Sequence, residues 1–301
     1  NIVVGYKFTT SINFSFLSLI TIMEQKIKCI IKVGGSAITN KTELETANPE
    51  NIVKTAELLS RLKGKCILVH GAGSFGHFQA SEYGVAKGYT SLSPDEQTIV
   101  KEGFCKTRIS VTKLNHMVVQ ALVEKGVKAV GIAPCGRWKT RGRGQVVSSD
   151  CEGVNELLQA GFLPVLHGDC VLDEELGCTI LSGDTITQVL CEFFKPKRVV
   201  FLSDVQGIFT KPPLNPKARL IPRVQVKQDG SIATIIATEQ LDHDVTGGIK
   251  TKIAAACTIV SQSGGAIPVF VCKLGGHSAE LACWHSDRSD EFKGTIIEAG
   301  E

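Results

Sequence analysis

Six short apolar segments rich in valine and isoleucine recur along the chain, separated by stretches with helical periodicity. They span residues 28–33, 66–70, 128–132, 163–167, 198–203 and 267–272. Each segment is apolar at successive positions, which is typical of strands buried on both faces of a parallel sheet. The alternation of strands with helices therefore predicts an α/β fold on one mainly parallel sheet, with helices on both faces.

Helix start signals stand between these segments. Asn48 and Pro49 form a capped first turn, and a Ser-Pro-Asp-Glu capping box occupies residues 93–96. The capping box predicts a long helix towards Gly126, with a break near Gly103 because glycine weakens a helix interior. Further helices are expected at 151–160, 184–194 and 248–263. Polar, glycine-rich segments between some strands predict added hairpins.

Composition and charge narrow the class of protein. The 301 residues are 43% hydrophobic and 21% charged, which is ordinary for a globular protein. A net charge of +3 without a basic block gives no sign of nucleic-acid binding, so no nucleic-acid partner is expected. None of the 11 cysteines forms a C-x-x-C pair, which predicts free thiols in a reducing, cytoplasmic setting.

The N-terminal segment differs from the remainder of the chain. The first methionine is Met23, and the apolar run at 11–22 is too short to span a bilayer. We expect residues 1–22 to be a leader or extension outside the fold and residues 23–301 to form one domain. No other segment is long and apolar enough for a membrane helix, so no membrane span is expected.

Glycine-rich turns follow the first two predicted strands. In a parallel sheet, ligands bind where the strands end, so these turns are candidate binding loops. The first turn joins Lys32 to Gly34, Gly35 and Ser36, a combination that brings a positive charge and closely approaching amides to a phosphate. The second turn, His70-Gly-Ala-Gly-Ser-Phe-Gly-His77, leads into a predicted helix and is suited to an anion.

Three interpretations of the second turn remain open from the residues alone. Glycines 71, 73 and 76 match the dinucleotide pattern G-x-G-x-x-G, although this turn follows the second strand and lacks the expected acidic residue downstream. Residues 72–76 resemble a nucleophile elbow, for which Asp204 and His243 are candidate partners. The third interpretation is a phosphate-binding loop in which His77 contacts the ligand.

Further polar turns follow the later strands, at residues 167–169, 182–184, 203–208 and 244–252. Together they bring glycine loops, helix N-termini and lysines from both ends of the chain to one edge of one sheet. Phosphoryl transfer needs such positioning and charge neutralisation. The P-loop pattern and the protein-kinase motifs are absent from the sequence, so a kinase of this sequence would need a fold different from those two classes.

The order of these motifs resembles the amino acid kinase superfamily over about residues 26–299. The superfamily-level pieces are K-V-G-G-S at 32–36, S-D-V-Q-G-I at 203–208 and T-G-G at 246–248. Within it, four pieces are similar to the isopentenyl phosphate kinases: I-T-N-K ending at Lys41, H-G-A-G-S-F-G-H at 70–77, H-G-D at 167–169 and D-V-T-G-G-I-K-T-K at 244–252. The closing G-T-I-I at 294–297 is also similar.

The resemblance implies a three-layer α/β/α sandwich and a homodimer. It implies an acceptor-binding lobe at about 26–195 and an ATP-binding lobe at about 196–299. The implied reaction moves the γ-phosphoryl group of ATP, with Mg²⁺, onto isopentenyl phosphate, which is a small isoprenoid monophosphate. Because the acceptor phosphate is largely a dianion near neutral pH, no general base is expected.

The resemblance also implies roles for individual residues. Lys32 and Lys252 would bind the transferring phosphates, with Lys250 as a second candidate for the role of Lys252. Lys41 would stabilise the transition state, and Asp184 would hold Lys32 and Lys252 in place. No residue is expected to be a dedicated metal ligand, because Mg²⁺ would be held by the phosphates.

Binding residues complete the implied site. His77 would hydrogen-bond the acceptor phosphate, helped by backbone groups at Ala72 and Gly168. The positions expected to line the ATP side are Gly34, Gly35, Ser36, Gly73, Asp204, Gly207 and Gly248. The residues considered for the wall of an apolar tail pocket are Phe78, Phe104, Ile109 and Val111.

Other functions remain open at this point. The alternative most similar to the implied function is another superfamily kinase, acting on a phosphonate, a carboxylate or a nucleotide. A non-catalytic ligand-binding homologue would have little need of four charged site residues together. An oxidoreductase using glycines 71–76 to bind a nicotinamide cofactor is a third class.

Overall fold

The computed structural model describes residues 27–142, 144–235, 247–284 and 291–300, apart from the side chains at 234–235 and 247–250. Residues 1–22 and His243 lie outside these ranges, so the leader remains a prediction. Within the described ranges, the chain forms fifteen strands and eight α-helices.

In chain order the strands are β1 (Cys29–Val33), β2 (Cys66–His70), β3 (Ala129–Ile132), β4 (Lys139–Arg141), β5 (Gln145–Ser148), β6 (Leu163–His167), β7 (Asp169–Asp173), β8 (Gly177–Leu181), β9 (Val199–Ser203), β10 (Ile208–Phe209), β11 (Leu220–Ile221), β12 (Arg223–Val226), β13 (Ile232–Ile235), β14 (Val269–Lys273) and β15 (Thr295–Ala299). All six strands expected from the apolar segments are present, each within two residues of its expected bounds.

A nine-stranded sheet organises the molecule, in the order β13-β12-β15-β14-β9-β1-β2-β6-β3. The six strands from β14 to β3 run parallel to their neighbours, and β15 pairs antiparallel with β14. The parallel strands β9, β1, β2 and β6 are buried along their whole length. Their carboxyl ends therefore meet at one edge, as the sequence pattern predicts.

In chain order the helices are α1 (Gly35–Ile38), α2 (Pro49–Ser60), α3 (His77–Glu82), α4 (Pro94–Glu124), α5 (Cys151–Gln159), α6 (Gly183–Phe194), α7 (Gly247–Gln262) and α8 (His277–Trp284). Both expected caps form: Asn48 accepts a hydrogen bond from the Asn51 amide, and Ser93 and Glu96 make a reciprocal capping box.

Two apolar layers lie on opposite faces of the sheet. On one face, side chains from α5, α6 and α7 pack against alternate strand residues such as Ile30 and Val69. On the other face, α2, α4 and α8 pack against the intervening residues, such as Ile31 and Leu68. This alternation follows from the two-residue period of a strand and produces the three-layer α/β/α architecture.

The expected break in α4 near Gly103 is wrong, because the helix runs without interruption through 31 residues. The glycine has a packing reason instead. A Cβ atom at position 103 would lie 2.0 Å from the Cβ atom of Tyr83, so only glycine admits this contact. The tyrosine belongs to a small apolar cluster beneath the N-terminal half of α4.

The expected hairpins form a second, four-stranded sheet in the order β5-β4-β7-β8. Strand β7 begins at Asp169, two residues after β6 ends, and pairs antiparallel with β8. Strand β8 then leads directly into α6. The hairpin therefore places the N-terminus of α6 back at the edge where β2 and β6 end.

Candidate active site

Backbone hydrogen bonds hold the first turns after β1, β2 and β6 to one another. Each turn begins with a glycine whose amide donates to the last or next-to-last residue of the neighbouring strand. The bonds are Gly34 N–H to Leu202 O (2.8 Å), Gly71 N–H to Val33 O (2.9 Å) and Gly168 N–H to His70 O (2.9 Å). The predicted loops thus form one continuous edge.

The first two glycine loops are in direct contact. A Cβ atom at Gly35 would lie 2.4 Å from the amide nitrogen of Gly73, and one at Gly71 would lie 2.6 Å from that of Gly35. Gly73 also has φ of +54°, and Thr39 donates a hydrogen bond to Gly35 O at 2.8 Å. The glycines are therefore required by the close approach of two backbones.

Several amide groups at this edge have no hydrogen-bond acceptor within the described ranges. Among them are the amides of Gly35, Ala72, Gly73 and Gly183. A Cβ atom at Gly168 would lie 3.5 Å from the Gly183 nitrogen and 3.6 Å from the Ala72 nitrogen, so three loops converge here. Clustered free amides at a helix N-terminus form an anion-binding environment.

The predicted Lys32–Asp184 pair is present. The Lys32 Nζ atom lies 2.7 Å from Asp184 Oδ1, and the lysine side chain is only 8% exposed. Gly183 packs over the stem of Lys32, with 3.6 Å between a Cβ atom at 183 and Lys32 Cε. The ion pair places the lysine ammonium at the edge of the free amides.

Lys252 reaches the same edge from α7. Its Nζ atom donates a hydrogen bond of 2.9 Å to the Ser203 hydroxyl at the end of β9. Burial, followed by the nearby charge of Lys32, lowers the pKa of Lys252 to about 8, although Asp184 and Asp204 act in the opposite direction. Lys32 thus lies close enough to disfavour the charge of Lys252, and an anion bound between them would relieve this repulsion.

Lys41 and Asp204 form the outer part of this cluster. Lys41 Nζ lies 3.7 Å from Asp204 Oδ2, with the two side chains 66% and 43% exposed. Burial tends to raise the pKa of Asp204, but Lys41 and a hydrogen bond from Ser203 outweigh it and lower the pKa. The exposed lysine is therefore held near the strand end without being fixed there.

The residues expected on the acceptor side lie on the first turn of α3 and along α4. His77 begins α3 with an exposed side chain, and Phe78 beside it is 38% exposed. Val111 is buried and lies next to Gly76, at 3.5 Å from the position of a Cβ atom there. Ile109 is 72% exposed and faces solvent.

Among the remaining predicted positions, Ser36 lies in the first turn of α1 and Gly248 in the first turn of α7. Gly207 packs against β15, since a Cβ atom there would lie 2.7 Å from the Thr295 hydroxyl. The Lys250 side chain lies outside the described residues, and the Lys252 side chain lies at the end of β9.

The nucleophile-elbow interpretation does not fit the geometry. Ser74 is buried, and its hydroxyl donates a hydrogen bond to Thr46 O at 3.3 Å. The Ser74 amide in turn donates to the Thr39 hydroxyl. A nucleophilic serine needs an exposed hydroxyl beside a base, and this hydroxyl instead anchors the loop.

Two buried histidines belong to the motifs at 70–77 and 167–169, and the sequence did not predict a role for either of them. His70 and His167 are the last residues of β2 and β6, they are paired in the sheet register, and their rings stack at 5.6 Å. Only the strand register brings them together, so spacing along the chain could not reveal the contact. The signal available in the sequence was that each precedes a glycine at a strand end.

Within the described ranges, no group of three or more histidine, cysteine, aspartate or glutamate side chains could hold a metal ion. Three carboxylates lie near the strand ends: Asp184 and Asp204 each face a lysine, and Asp169 faces Arg108. No described helix is both long and apolar enough to cross a bilayer.

Comparison with known proteins agrees with this geometry. Residues 28–273 match the model of the amino acid kinase family. An isopentenyl phosphate kinase from Arabidopsis thaliana is 38% identical, covering 91% of this chain and 96% of the relative. An isopentenyl phosphate kinase from Thermoplasma acidophilum is 34% identical over 89% of this chain and 99% of the relative.

Solved structures show the same architecture. The product complex of the T. acidophilum isopentenyl phosphate kinase superposes with a TM-score of 0.71 at 27% identity, covering 90% of this chain and 99% of that one. A carbamate kinase from Giardia lamblia, at 16% identity and a TM-score of 0.61, shares the fold alone. On the family model, the full-length relatives and the shared fold, this chain belongs to the amino acid kinase family and, within it, to the isopentenyl phosphate kinases.

Proposed function

We propose that this enzyme transfers the γ-phosphoryl group of ATP to isopentenyl phosphate, giving isopentenyl diphosphate and ADP. The observation that carries the proposal is the convergence of Lys32, Lys252 and four free amides at one sheet edge. The relatives that are similar over nearly their whole length are named for this substrate.

The acceptor supplies its own nucleophile. A phosphate monoester has a second pKa near 6, so at neutral pH its oxygen attacks without a protein base. The attacking oxygen forms a bond to the γ-phosphorus, the bond from that phosphorus to the β–γ bridging oxygen breaks, and ADP leaves. The protein's task is to hold two polyanions together against their repulsion.

The chain offers cations and amides on both sides of the transferring group. Lys32 and Lys252 neutralise charge on the β- and γ-phosphates, and Asp184 keeps Lys32 directed at the edge. Lys41, exposed and loosely held by Asp204, can move onto the transferring group as negative charge develops. His77 and the Ala72 amide bind the acceptor phosphate.

Mg²⁺ fits this site as a counter-ion of the nucleotide. It would neutralise phosphate oxygens, since the strand-end carboxylates Asp184 and Asp204 are paired with lysines and Asp169 is paired with Arg108. We therefore assign the chain's own contribution to lysines and amides, with the metal held by phosphates and water.

We further propose a homodimer in the cytoplasm, with residues 26–195 binding the acceptor and 196–299 binding ATP. All eleven cysteines are free thiols, and nine of them are buried, which suits a reducing compartment. The weak net charge of +3 favours small-molecule partners over nucleic acid. Light scattering on the purified chain tests the dimer, and a monomeric mass would contradict it.

An acceptor panel tests the function. ADP release is measured with ATP, Mg²⁺ and isopentenyl phosphate, dimethylallyl phosphate, fosfomycin, N-acetylglutamate or UMP, using wild type and His77→Ala. We expect rapid turnover of isopentenyl phosphate and a rise in its KM of about tenfold or more in the variant, because a hydrogen bond to a charged group is lost. Turnover of another acceptor alone would overturn the proposed substrate.

A further inference from the structure

His70 and His167 are buried at the bottom of the acceptor loops, where the proposed chemistry gives them no direct part. Both are at most 1% exposed. They end adjacent parallel strands and are each followed by a glycine, and their rings stack with an interplanar angle of 23°. Burying two imidazole rings side by side costs folding free energy unless their polar nitrogen atoms are hydrogen-bonded.

Each ring makes the same contact with its own loop. His70 Nδ1 lies 3.0 Å from Gly71 O, and His167 Nδ1 lies 3.0 Å from Gly168 O. A carbonyl oxygen only accepts, so both Nδ1 atoms carry the proton. The Asn115 side-chain amide donates to His70 Nε2 at 3.1 Å, which fixes His70 as the neutral Nδ1–H tautomer.

The electrostatic surroundings keep both rings uncharged at neutral pH. Burial, followed by the neighbouring His167, lowers the pKa of His70 to about 3. Burial also lowers the pKa of His167, although Asp169 opposes this and Arg108 adds to it. The Arg108 guanidinium is itself bound to Asp169, with 2.5 Å between Nη1 and Oδ2.

The direction of a carbonyl decides the direction of the next amide. The Gly71–Ala72 peptide is trans, as are all peptide bonds described, so its C=O and N–H groups point in opposite directions. Because His70 binds Gly71 O, the Ala72 N–H is turned away from the ring. Among the described residues, no acceptor lies within hydrogen-bond distance of that amide.

We propose that His70 and His167 are positioning residues, which hold the Gly71 and Gly168 carbonyls away from the acceptor and so present the Ala72 amide to its phosphate. The inference rests on the proposed function for the identity of the acceptor. Without the two bonds, partly negative carbonyl oxygens could rotate towards a dianion. The pair therefore removes repulsion and supplies a donor by the same contacts.

Kinetics distinguish positioning from a purely structural role. His70→Leu removes the donor, whereas His70→Asn keeps an N–H group near the place of Nδ1. We expect His70→Leu to raise the KM for isopentenyl phosphate about tenfold or more while the KM for ATP stays within about twofold. His70→Asn is expected to stay within about threefold of wild type, and His167→Leu and His167→Asn are expected to behave in the same way.

A destabilised control separates folding from positioning. Val154→Ala creates a cavity on α5, away from the loops, and should lower the melting temperature without changing either KM. Equal KM values for His70→Leu and His70→Asn would overturn the proposal. So would a parallel rise of both KM values in His70→Leu.

A spectroscopic arm is independent of the acceptor's identity. The sequence contains two Gly–Ala pairs, at 71–72 and 265–266, so ¹³C′-glycine with ¹⁵N-alanine labelling gives two correlated amide signals. Ala266 donates to Ser263 O and serves as the internal reference. We expect inorganic phosphate to shift the Ala72 signal in wild type and in His70→Asn but far less in His70→Leu.

The kinetic and spectroscopic experiments distinguish the proposed function from the proposed positioning role. A phosphate shift that depends on His70, in a protein that does not turn over isopentenyl phosphate, would support the positioning role and overturn the substrate. Turnover of isopentenyl phosphate with no phosphate shift at Ala72 would leave the function standing and overturn the positioning role.

Discussion

At the residue scale, the proton affinity of Lys252 is the most informative feature of the site. Burial and the nearby Lys32 lower its pKa to about 8, so part of its charge is lost just above neutral pH in the ligand-free protein. Bound phosphates would favour the charged form and raise the pKa again. The same group should therefore titrate differently in the free enzyme and in the complex.

This predicts a pH profile. Above about pH 8, kcat/KM should fall, because it reports the free enzyme, in which Lys252 becomes neutral as the pH rises through its pKa. The fall in kcat should occur at higher pH, because the complex keeps the lysine charged. Assays of ADP release between pH 6 and pH 10 measure both kcat/KM and kcat.

Two substitutions test the assignment. Lys252→Arg should remove the alkaline fall in kcat/KM near pH 8, because a guanidinium stays charged. Lys252→Met should lower kcat by about 100-fold or more, as for the loss of a group that stabilises developing charge. An unchanged alkaline fall in Lys252→Arg would assign the titration to another group.

At the scale of elements, the strands could be predicted because the sheet buries both faces of each parallel strand, which leaves continuous apolar runs. Strands β4 and β12 are only three and four residues long, and polar residues make up all of β4 and half of β12. Their sequences therefore look like those of loops. The wrong break in α4 has a related cause. Gly103 weakens the helix locally, but its contact with Tyr83 comes from a distant segment that no local pattern shows.

The α4 contact gives a stability prediction. Gly103→Ala should destabilise the protein by about 1–3 kcal/mol, because overpacking against Tyr83 outweighs the gain in helix propensity. In a Tyr83→Gly background the same substitution should be neutral or stabilising, since the Cβ atom that the added methyl group would meet is then absent. Urea unfolding of the four proteins in this cycle measures the coupling, and an additive result would refute the contact.

At the scale of the whole molecule, the residue types of the site could be predicted, but their arrangement could not. The sequence places Lys32, Asp184 and Lys252 at loops of one sheet edge. It does not show that Lys252 binds Ser203, nor that His70 and His167 stack, because these contacts depend on strand register and on how helices return to the sheet.

The two neutral histidines make the stability of the whole fold depend on pH. Below the ordinary histidine pKa of 6.5, the unfolded chain binds protons that folded His70 rejects down to about pH 3. The unfolded state then holds more protons, so the free energy of unfolding falls as the pH falls. Between pH 7 and pH 5, His70 should account for a loss of about 2 kcal/mol.

Urea unfolding at pH 7 and pH 5 tests this dependence. His70→Asn should lose about 2 kcal/mol less than wild type between these values, because asparagine does not titrate. His116→Asn is the comparison, since His116 lies on the exposed face of α4. Equal losses in wild type and His70→Asn would show that the folded protein accepts a proton at His70.

The central claim is that the phosphoryl group is transferred to a phosphate oxygen, and ³¹P NMR of one reaction mixture tests it most directly. With enzyme, ATP, Mg²⁺ and isopentenyl phosphate, we predict that the monophosphate singlet is replaced by two coupled diphosphate doublets while ADP appears in equal amount. Orthophosphate appearing with ADP, or an unchanged monophosphate signal beside intact ATP, would contradict the account.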